Sequence, residues 1–216
     1  MKLTVVAATG GVGKHVLEQA IAAGHDVTVV ARNPSKLPMD IRTVQADLRT
    51  TAPDVDGADA VLSCLGATTN AEAGIASAGT RKIVEAMRIA GVRRLIAISA
   101  SPISTMPSPN RPHPPRHDPG DGLFVRYFGA PLVKAMFRKQ YADLAVMEDV
   151  LRDSGLDWTA IRPPRLVDKP VTGRYRVAVG ENLPGGLAIS RADLAHCMLS
   201  LVDRTETFQR TVGVAY

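Results

Sequence analysis

The chain has 216 residues and a formal net charge of +5, with 45% hydrophobic and 22% charged residues. This composition is typical of a globular protein and excludes a disordered or fibrous chain, and the length suffices for one buried core. No run of about 20 apolar residues is present, so the sequence predicts no membrane span. Because the first residues lead directly into a core strand rather than a signal peptide, we expect a cytoplasmic protein. From the chain length we expect a single domain, residues 1–216.

The cysteines and basic residues indicate which metals, nucleic acids or small molecules the protein is expected to bind. Cys64 and Cys197 lie in apolar segments without a CxxC spacing, which predicts buried thiols and neither a metal site nor a disulfide. The basic residues are scattered and are not interleaved with aromatic residues, so we expect no nucleic-acid partner. An anionic small molecule accounts for the positive charge equally well, and we expect a monomer or a small homo-oligomer.

Apolar β-branched runs alternate with amphipathic stretches along most of the chain. The predicted strands are 5–8, 27–31, 42–45, 60–65, 94–99 and 158–161, and the predicted helices are 15–23, 79–90, 142–154 and 191–202. Ser190, three residues before Asp193, has the residue type and spacing of an N-cap for the last of these helices. Strands that are almost continuously apolar and alternate with helices indicate a parallel sheet covered on both faces. The sequence therefore predicts an α/β protein with a Rossmann-type, doubly wound parallel sheet.

Residues 102–119 interrupt this alternation, because seven of the chain's 15 prolines fall within them. Proline at this density favours extended chain, and long loops in compact domains are often lids or binding loops. We expect the loop, taken as 102–130, to be either a lid on the substrate side or a solvated insertion.

A glycine-rich turn, AATGGVG at residues 7–13, lies between the first strand and the first helix. Glycines allow the backbone to approach a pyrophosphate, and the start of the helix offers N–H groups and partial positive charge to an anion. A turn needed only for close packing is the alternative, but the strand–turn–helix–strand context favours dinucleotide binding. The residues assigned to the cofactor in this turn are Ala8, Thr9, Gly10, Gly11, Val12 and Gly13.

The end of the second strand carries Arg32, Asn33 and Lys36. NAD-selective sites usually have an acidic residue there for the ribose hydroxyl, whereas an arginine can contact the additional phosphate of NADP. Because the guanidinium group binds phosphate through two parallel hydrogen bonds, we expect NADP(H) to be the cofactor. A solvated basic turn is the alternative.

The ends of the later strands should surround the nicotinamide half of the cofactor, since strand carboxyl ends line the ligand crevice of an open α/β sheet. Asp47 could accept a hydrogen bond from adenine or could cap the following turn. The alternative for Ser99 and Ser101 is that their hydroxyls only terminate a strand. The further residues assigned to the cofactor are Asp47, Leu48, Cys64, Leu65, Gly66, Ser99, Ala100, Pro163, Pro164 and Arg165.

Several catalytic motifs are missing from the sequence. None of Tyr127, Tyr141, Tyr175 or Tyr216 is followed four residues later by a lysine, the pair that lets a phenol act as acid or base in alcohol dehydrogenation. The sequence also lacks HExxH, a Walker lysine motif and GxSxG. Ordinary alcohol dehydrogenation and hydrolysis are therefore disfavoured.

Together these residues resemble the atypical short-chain dehydrogenases/reductases of the NmrA-like, NAD(P)H-binding type, and among them the biliverdin and flavin reductases. The resemblance is carried by residues 8–13, 29–32, 35–37, 79–87, 151–156, 163–165, 168–173 and 189–194. It implies that NADPH binds at the positions above and passes hydride to a flavin or tetrapyrrole stacked on the nicotinamide. Ala7 replaces the first glycine of the family motif, Ala100 a serine and Arg165 a histidine, so the acceptor is not specified by the resemblance.

The leading hypothesis is an NADPH-dependent reductase of a planar conjugated acceptor, such as a flavin, a quinone-like compound or a tetrapyrrole, for which stacking and orientation are the main requirements. The predicted catalytic residues are Ser99 or Ser101, holding the carboxamide or the acceptor, and Arg165, stabilising negative charge on the acceptor. Arg165 could instead face a phosphate or solvent. The alternative function is a non-catalytic redox sensor that binds NADP(H) and signals to a protein partner, and an epimerase or dehydratase is disfavoured by the missing Tyr/Lys pair.

Overall fold

A computed structural model describes residues 1–37, 41–67, 69, 72–118, 120 and 136–216. The strands within these ranges are β1 (Lys2–Val6), β2 (Asp26–Ala31), β3 (Arg42–Gln45), β4 (Ala60–Ser63), β5 (Arg94–Ile98), β6 (Asp157–Arg162), β7 (Arg165–Val167), β8 (Arg176–Val179), β9 (Ala188–Ser190) and β10 (Arg210–Ala215). The α-helices are α1 (Gly11–Ala22), α2 (Ile75–Ala90), α3 (Arg138–Arg152) and α4 (Arg191–Ser200).

Eight strands form one sheet in the order β3-β2-β1-β4-β5-β6-β10-β8. All neighbours are parallel except β8, which runs antiparallel to β10 at the edge. The chain moves outward from β1 to β3 on one side and then continues from β4 on the other side, so the strand order reverses between β1 and β4. The predicted α/β, Rossmann-type doubly wound fold is confirmed. Strands β7 and β9 form a separate two-stranded parallel sheet.

The sheet separates two apolar cores. Leu3 and Val5 of β1 lie in the core that α1 and α4 cover, and the next residue, Val6, lies in the core beneath α2 and α3. Alternate side chains of a strand point to opposite faces, so a strand with helices on both sides buries both sets of side chains and is mostly apolar. No helix in the described part of the chain is long and apolar enough to cross a membrane.

Local sequence patterns predict some element bounds correctly and others not. Strand β3 spans the four residues predicted for it, and the predicted cap of α4 is confirmed, since the Asp193 backbone N–H donates to Ser190 Oγ over 2.9 Å. The sequence predicted that α1, α2 and α3 begin at residues 15, 79 and 142. In the structure each helix begins four residues earlier, at Gly11, Ile75 and Arg138. Strands β7 to β10 were not predicted, because they are short or interrupted by polar residues.

The early start of α2 has a cause that lies far away in the sequence. The N-cap of α2 is Gly74, which has no side chain to cap the helix. Asp143 of α3 supplies the cap instead, accepting hydrogen bonds from the backbone N–H groups of Gly74 (2.9 Å), Ala76 (3.0 Å) and Ser77 (3.0 Å). A carboxylate at the positive end of a helix satisfies N–H groups that have no partner within the helix.

The proline-rich loop packs against the domain over its first half. Residues 101–105 form a short 3₁₀ helix. Farther along, Ser108 Oγ and the Asn110 N–H donate to Asp149 of α3, and the buried Asp118 accepts from the backbone N–H of Asn182. Positions 119 and 121–130 lie outside the described residues, so the choice between a lid and an insertion stays a prediction.

Helix α1 approaches the end of β1 closely at Gly13. A Cβ atom on Gly13 would lie 2.3 Å from the carbonyl oxygen of Ala7 and 2.7 Å from Cα of Ala8. Ala7 itself has φ of 60°, a left-handed conformation that costs an alanine roughly 1–2 kcal/mol. Its carbonyl accepts a hydrogen bond from the N–H of Gly10 over 3.0 Å, which closes the turn. The start of α1 is thereby held against the end of β1.

Gly13→Ala should lower the free energy of unfolding by about 1–3 kcal/mol, because the new methyl group meets backbone atoms that cannot rotate away. Gly66→Ala is the matched control, since nothing lies within 4 Å of a Cβ at that position. Urea denaturation followed by circular dichroism measures both variants. Equal stability of the two variants would show that α1 does not approach β1 as closely as described.

Candidate functional site

A cleft of about 600 Å³ opens at the carboxyl ends of the strands, where the strand order reverses. Ligands of open α/β sheets bind in this position. The predicted cofactor residues that line it are Thr9, Gly10, Gly11, Val12, Arg32, Asn33, Asp47, Leu48, Cys64, Leu65, Gly66 and Ser99. Ala8, Gly13, Ala100, Pro163, Pro164 and Arg165 are not among the described lining residues, and the side chain of Lys36 lies outside the described part.

The glycine turn presents the start of α1 to the cleft. Gly10, Gly11 and Val12 line the cleft, and Gly10 is the N-cap of α1. No side chain caps the helix and no acidic residue lies in its first turn. The first N–H groups of a helix have no partner within the helix and carry about half a positive charge between them. This end of α1 therefore has the properties of an anion site.

Two arginines line the cleft beyond β2 and β3. Arg32 is exposed and follows β2 directly, and the next turn is fixed by Asn33, whose Oδ1 accepts from the backbone N–H of Ser35 over 3.1 Å. Arg49 follows β3, and its backbone N–H donates to Asp47 Oδ1 over 3.0 Å. Asp47 thus makes the turn-capping contact that was one of its two predicted roles, and its contact with adenine stays a prediction.

Ser99 connects the cleft to a buried ionic cluster. Its Oγ donates to Oε1 of Glu148 over 2.7 Å, and Glu148 is completely buried. Arg162 binds both carboxylate oxygens of Glu148, at 2.8 Å and 2.6 Å, and Arg152 adds a contact at 2.7 Å. A carboxylate can only accept hydrogen bonds, so the Ser99 hydroxyl must be the donor. Toward the cleft, the Ser99 oxygen can then act only as an acceptor.

The structure separates Ser99 from the other two predicted catalytic residues. Ser101 Oγ donates to the carbonyl oxygen of Arg162 over 3.2 Å, and Ser101 is not among the described lining residues. Arg165 lies in β7 and is exposed to solvent. Of the three, Ser99 is the residue placed at the cleft.

Cys64 follows β4 and contributes a neutral wall to the cleft. Burial raises the pKa of its thiol to about 12, so the thiolate is scarce at neutral pH. A thiol is a weak nucleophile compared with a thiolate. The position of Cys64 therefore suits contact with an apolar group better than nucleophilic attack.

Sequence motifs did not identify the residues that close the cleft from α3 and α4. Gln140, Asp143 and Leu144 of α3 line it, as do Leu166 of β7 and Arg191 of α4. These residues are at least 127 positions from the glycine turn in the sequence, and no local spacing links them to it. Arg191 lies in one of the segments that carry the family resemblance, which was the one available signal.

Solved structures resemble the chain along its whole length. SP1627 from Streptococcus pneumoniae TIGR4, a "putative NADH-flavin reductase", has a TM-score of 0.76 at 25% identity, covering 100% of this chain and 99% of SP1627. ChuY, an anaerobillin reductase from Escherichia coli O157:H7, has a TM-score of 0.74 at 20% identity, covering 100% and 97%. The likeness to ChuY shows the shared fold.

Comparison of the sequence with known proteins identifies the family of this chain. The uncharacterized protein YwnB of Bacillus subtilis (strain 168) is 27% identical over 222 residues, which cover 95% of this chain and 94% of YwnB. The family described as NAD(P)H-binding matches residues 7–205, from the glycine turn to a point beyond α4. The chain, with its glycine turn at the reversal of the strand order, belongs to this NAD(P)H-binding family.

Proposed function

We propose that the protein is an NADPH-dependent reductase that transfers hydride to a planar conjugated acceptor such as a flavin, a quinone-like compound or a tetrapyrrole. The observation that carries this proposal is the cleft itself, which joins the uncapped start of α1 to the acceptor-only oxygen of Ser99. The reductase activities stated for SP1627 and ChuY support the same class of reaction.

Three parts of the cleft would hold the cofactor. The start of α1 would bind the pyrophosphate, and Arg32 would bind the 2′-phosphate as a planar fork. Ser99 would accept a hydrogen bond from the amide N–H₂ of the nicotinamide carboxamide, because its own proton is committed to Glu148. This contact would fix which face of the nicotinamide points to the acceptor.

The reaction makes modest demands on the protein. When bound, the reduced nicotinamide supplies a hydride, which is two electrons and one proton, and the acceptor takes a second proton from water. The described lining residues include no tyrosine, histidine or lysine. Apolar side chains such as Leu65 and Leu166 would instead orient a flat ring by stacking, and a conjugated acceptor spreads the incoming charge itself. Arg165 as a charge-stabilising residue remains part of the proposal, although it would have to reach the acceptor from the exposed strand β7.

The described part of the cleft lining, which contains no tyrosine, histidine or lysine, also fits a second candidate, a redox sensor. Such a protein would bind NADPH and NADP⁺ in the same cleft without turnover and report the ratio to a protein partner. The two candidates differ in whether any acceptor is reduced.

Anaerobic NADPH oxidation, followed at 340 nm with FMN, riboflavin, biliverdin and a panel of quinones, tests the proposal. We expect oxidation that depends on the acceptor and is faster with NADPH than with NADH. Binding of NADPH and NADP⁺ without turnover of any acceptor would favour the sensor, and failure to bind either nucleotide would contradict both candidates.

Arg32→Ala should weaken NADPH binding about tenfold or more and leave NADH binding nearly unchanged, because only NADPH carries the 2′-phosphate. Isothermal titration with both reduced cofactors measures the two dissociation constants. Arg42→Ala, an exposed arginine at the start of β3 that is not among the described lining residues, is the control. Equal losses for NADPH and NADH in Arg32→Ala would remove the phosphate assignment.

Ser99→Ala should weaken NADP⁺ binding by about three- to tenfold, since one neutral hydrogen bond to the carboxamide is lost. Binding of 2′-phospho-ADP-ribose, which lacks the nicotinamide, should not change. Ser101→Ala is the comparison, because its hydroxyl already contacts the Arg162 carbonyl. If Ser101→Ala rather than Ser99→Ala lowers the affinity for NADP⁺ selectively, the carboxamide contact belongs to Ser101.

A further inference from the structure

Arg191, the first residue of α4, lies directly against the glycine turn. A Cβ atom on Gly11 would lie 2.9 Å from Nε of Arg191 and 3.0 Å from its Cδ. The absence of a side chain at position 11 therefore makes room for the arginine. Arg191 also lines the cleft beside Gly10 and Val12, and its side chain is 30% exposed.

The backbone that carries Arg191 is firmly held. Ser190 caps α4, and the buried carboxylate of Asp193 accepts hydrogen bonds from Thr172, Gly173 and the hydroxyl of Tyr216 at 2.7–2.9 Å. Although burial works in the opposite direction, these hydrogen bonds lower the pKa of Asp193. They tie the start of α4 to the loop after β7 and to the end of the chain.

The guanidinium group of Arg191 is oriented by an ion pair across the small sheet. Its Nη1 lies 2.7 Å from Oδ1 of Asp168, and these two residues directly follow Val167 of β7 and Ser190 of β9, which are paired in the small parallel sheet. The Asp168 side chain is 85% exposed, so water and salt screen its charge strongly. A guanidinium group has five N–H donors, and the edge that carries Nε faces Gly11.

The start of α1 needs a cation to bind a diphosphate well. Its partial charge is about half an elementary charge, whereas a pyrophosphate diester carries two negative charges. Of the three arginines that line the described part of the cleft, Arg32 follows β2 and Arg49 follows the edge strand β3. Arg191 is the one that contacts the turn.

We infer that Arg191 is an anion-binding residue of the cofactor site and that its guanidinium group contacts the pyrophosphate at the start of α1. The inference rests on the proposed dinucleotide binding and adds a residue to it. It divides the recognition of phosphate between two arginines. Arg191 contacts the diphosphate common to all dinucleotides, and Arg32 contacts the phosphate that distinguishes NADP from NAD.

Arg191→Gln tests this division in titrations with NADP⁺, NAD⁺ and 2′-AMP, which carries the ribose phosphate but no diphosphate. We expect the dissociation constants of NADP⁺ and NAD⁺ to rise by similar factors of about ten, while that of 2′-AMP stays unchanged. Arg191→Lys keeps the charge and should lose less affinity than Arg191→Gln. The NAD⁺ affinity of the wild-type protein should also fall more steeply with added salt than that of Arg191→Gln.

Lys169→Gln is the matched control, because Lys169 is an exposed cation next to Asp168 and is not among the described lining residues. Circular dichroism and urea midpoints establish that each variant is folded. If the wild-type protein binds both dinucleotides and Arg191→Gln binds them equally well, the role of Arg191 is overturned and the proposed function stands. Loss of NADP⁺ and 2′-AMP binding alone would assign Arg191 to the ribose phosphate instead. Failure of the wild-type protein to bind either dinucleotide would overturn both proposals.

Discussion

The close approach of α1 to the end of β1 is the contact on which the cleft depends. Gly13 has no Cβ, and the space where that atom would lie is occupied by the backbone of Ala7 and Ala8. The approach places the uncapped start of the helix at the point where the strand order reverses. Two properties of the backbone, its unpaired N–H groups and its dipole, thereby become available to an anion. The left-handed Ala7 indicates that the turn is maintained at some cost in conformational energy.

The opposite wall of the cleft depends on a carboxylate that does not reach the solvent. Glu148 is fully buried and is compensated by Arg162 and Arg152, and Ser99 is the member of this cluster that lines the cleft. A buried carboxylate is tolerated only when its oxygens are paired. The pairing therefore also determines the direction of the Ser99 hydrogen bond. In this way a structural ion pair defines the polarity of a residue that lines the cleft.

The small sheet of β7 and β9 links the end of the chain to its beginning. Asp193 holds the loop after β7 and the start of α4 together, and Arg191 extends from that start to Gly11. The cleft is consequently assembled from the glycine turn, from α3 and from α4. A change at Asp193 would act on the site through the placement of Arg191.

Features that depend on neighbouring residues in the chain could be predicted from the sequence. The alternation of apolar runs predicted the parallel sheet, the glycine turn predicted that a tight turn and a helix follow β1, and the spacing of Ser190 and Asp193 predicted a cap, because each rests on residues a few positions apart. Contacts between distant parts of the chain could not be predicted in this way. They place Ser99 rather than Ser101 or Arg165 at the cleft, Asp143 at the start of α2 and Arg191 against Gly11. These contacts join residues between 49 and 180 positions apart, and they arise because separate helices pack on the two faces of one sheet.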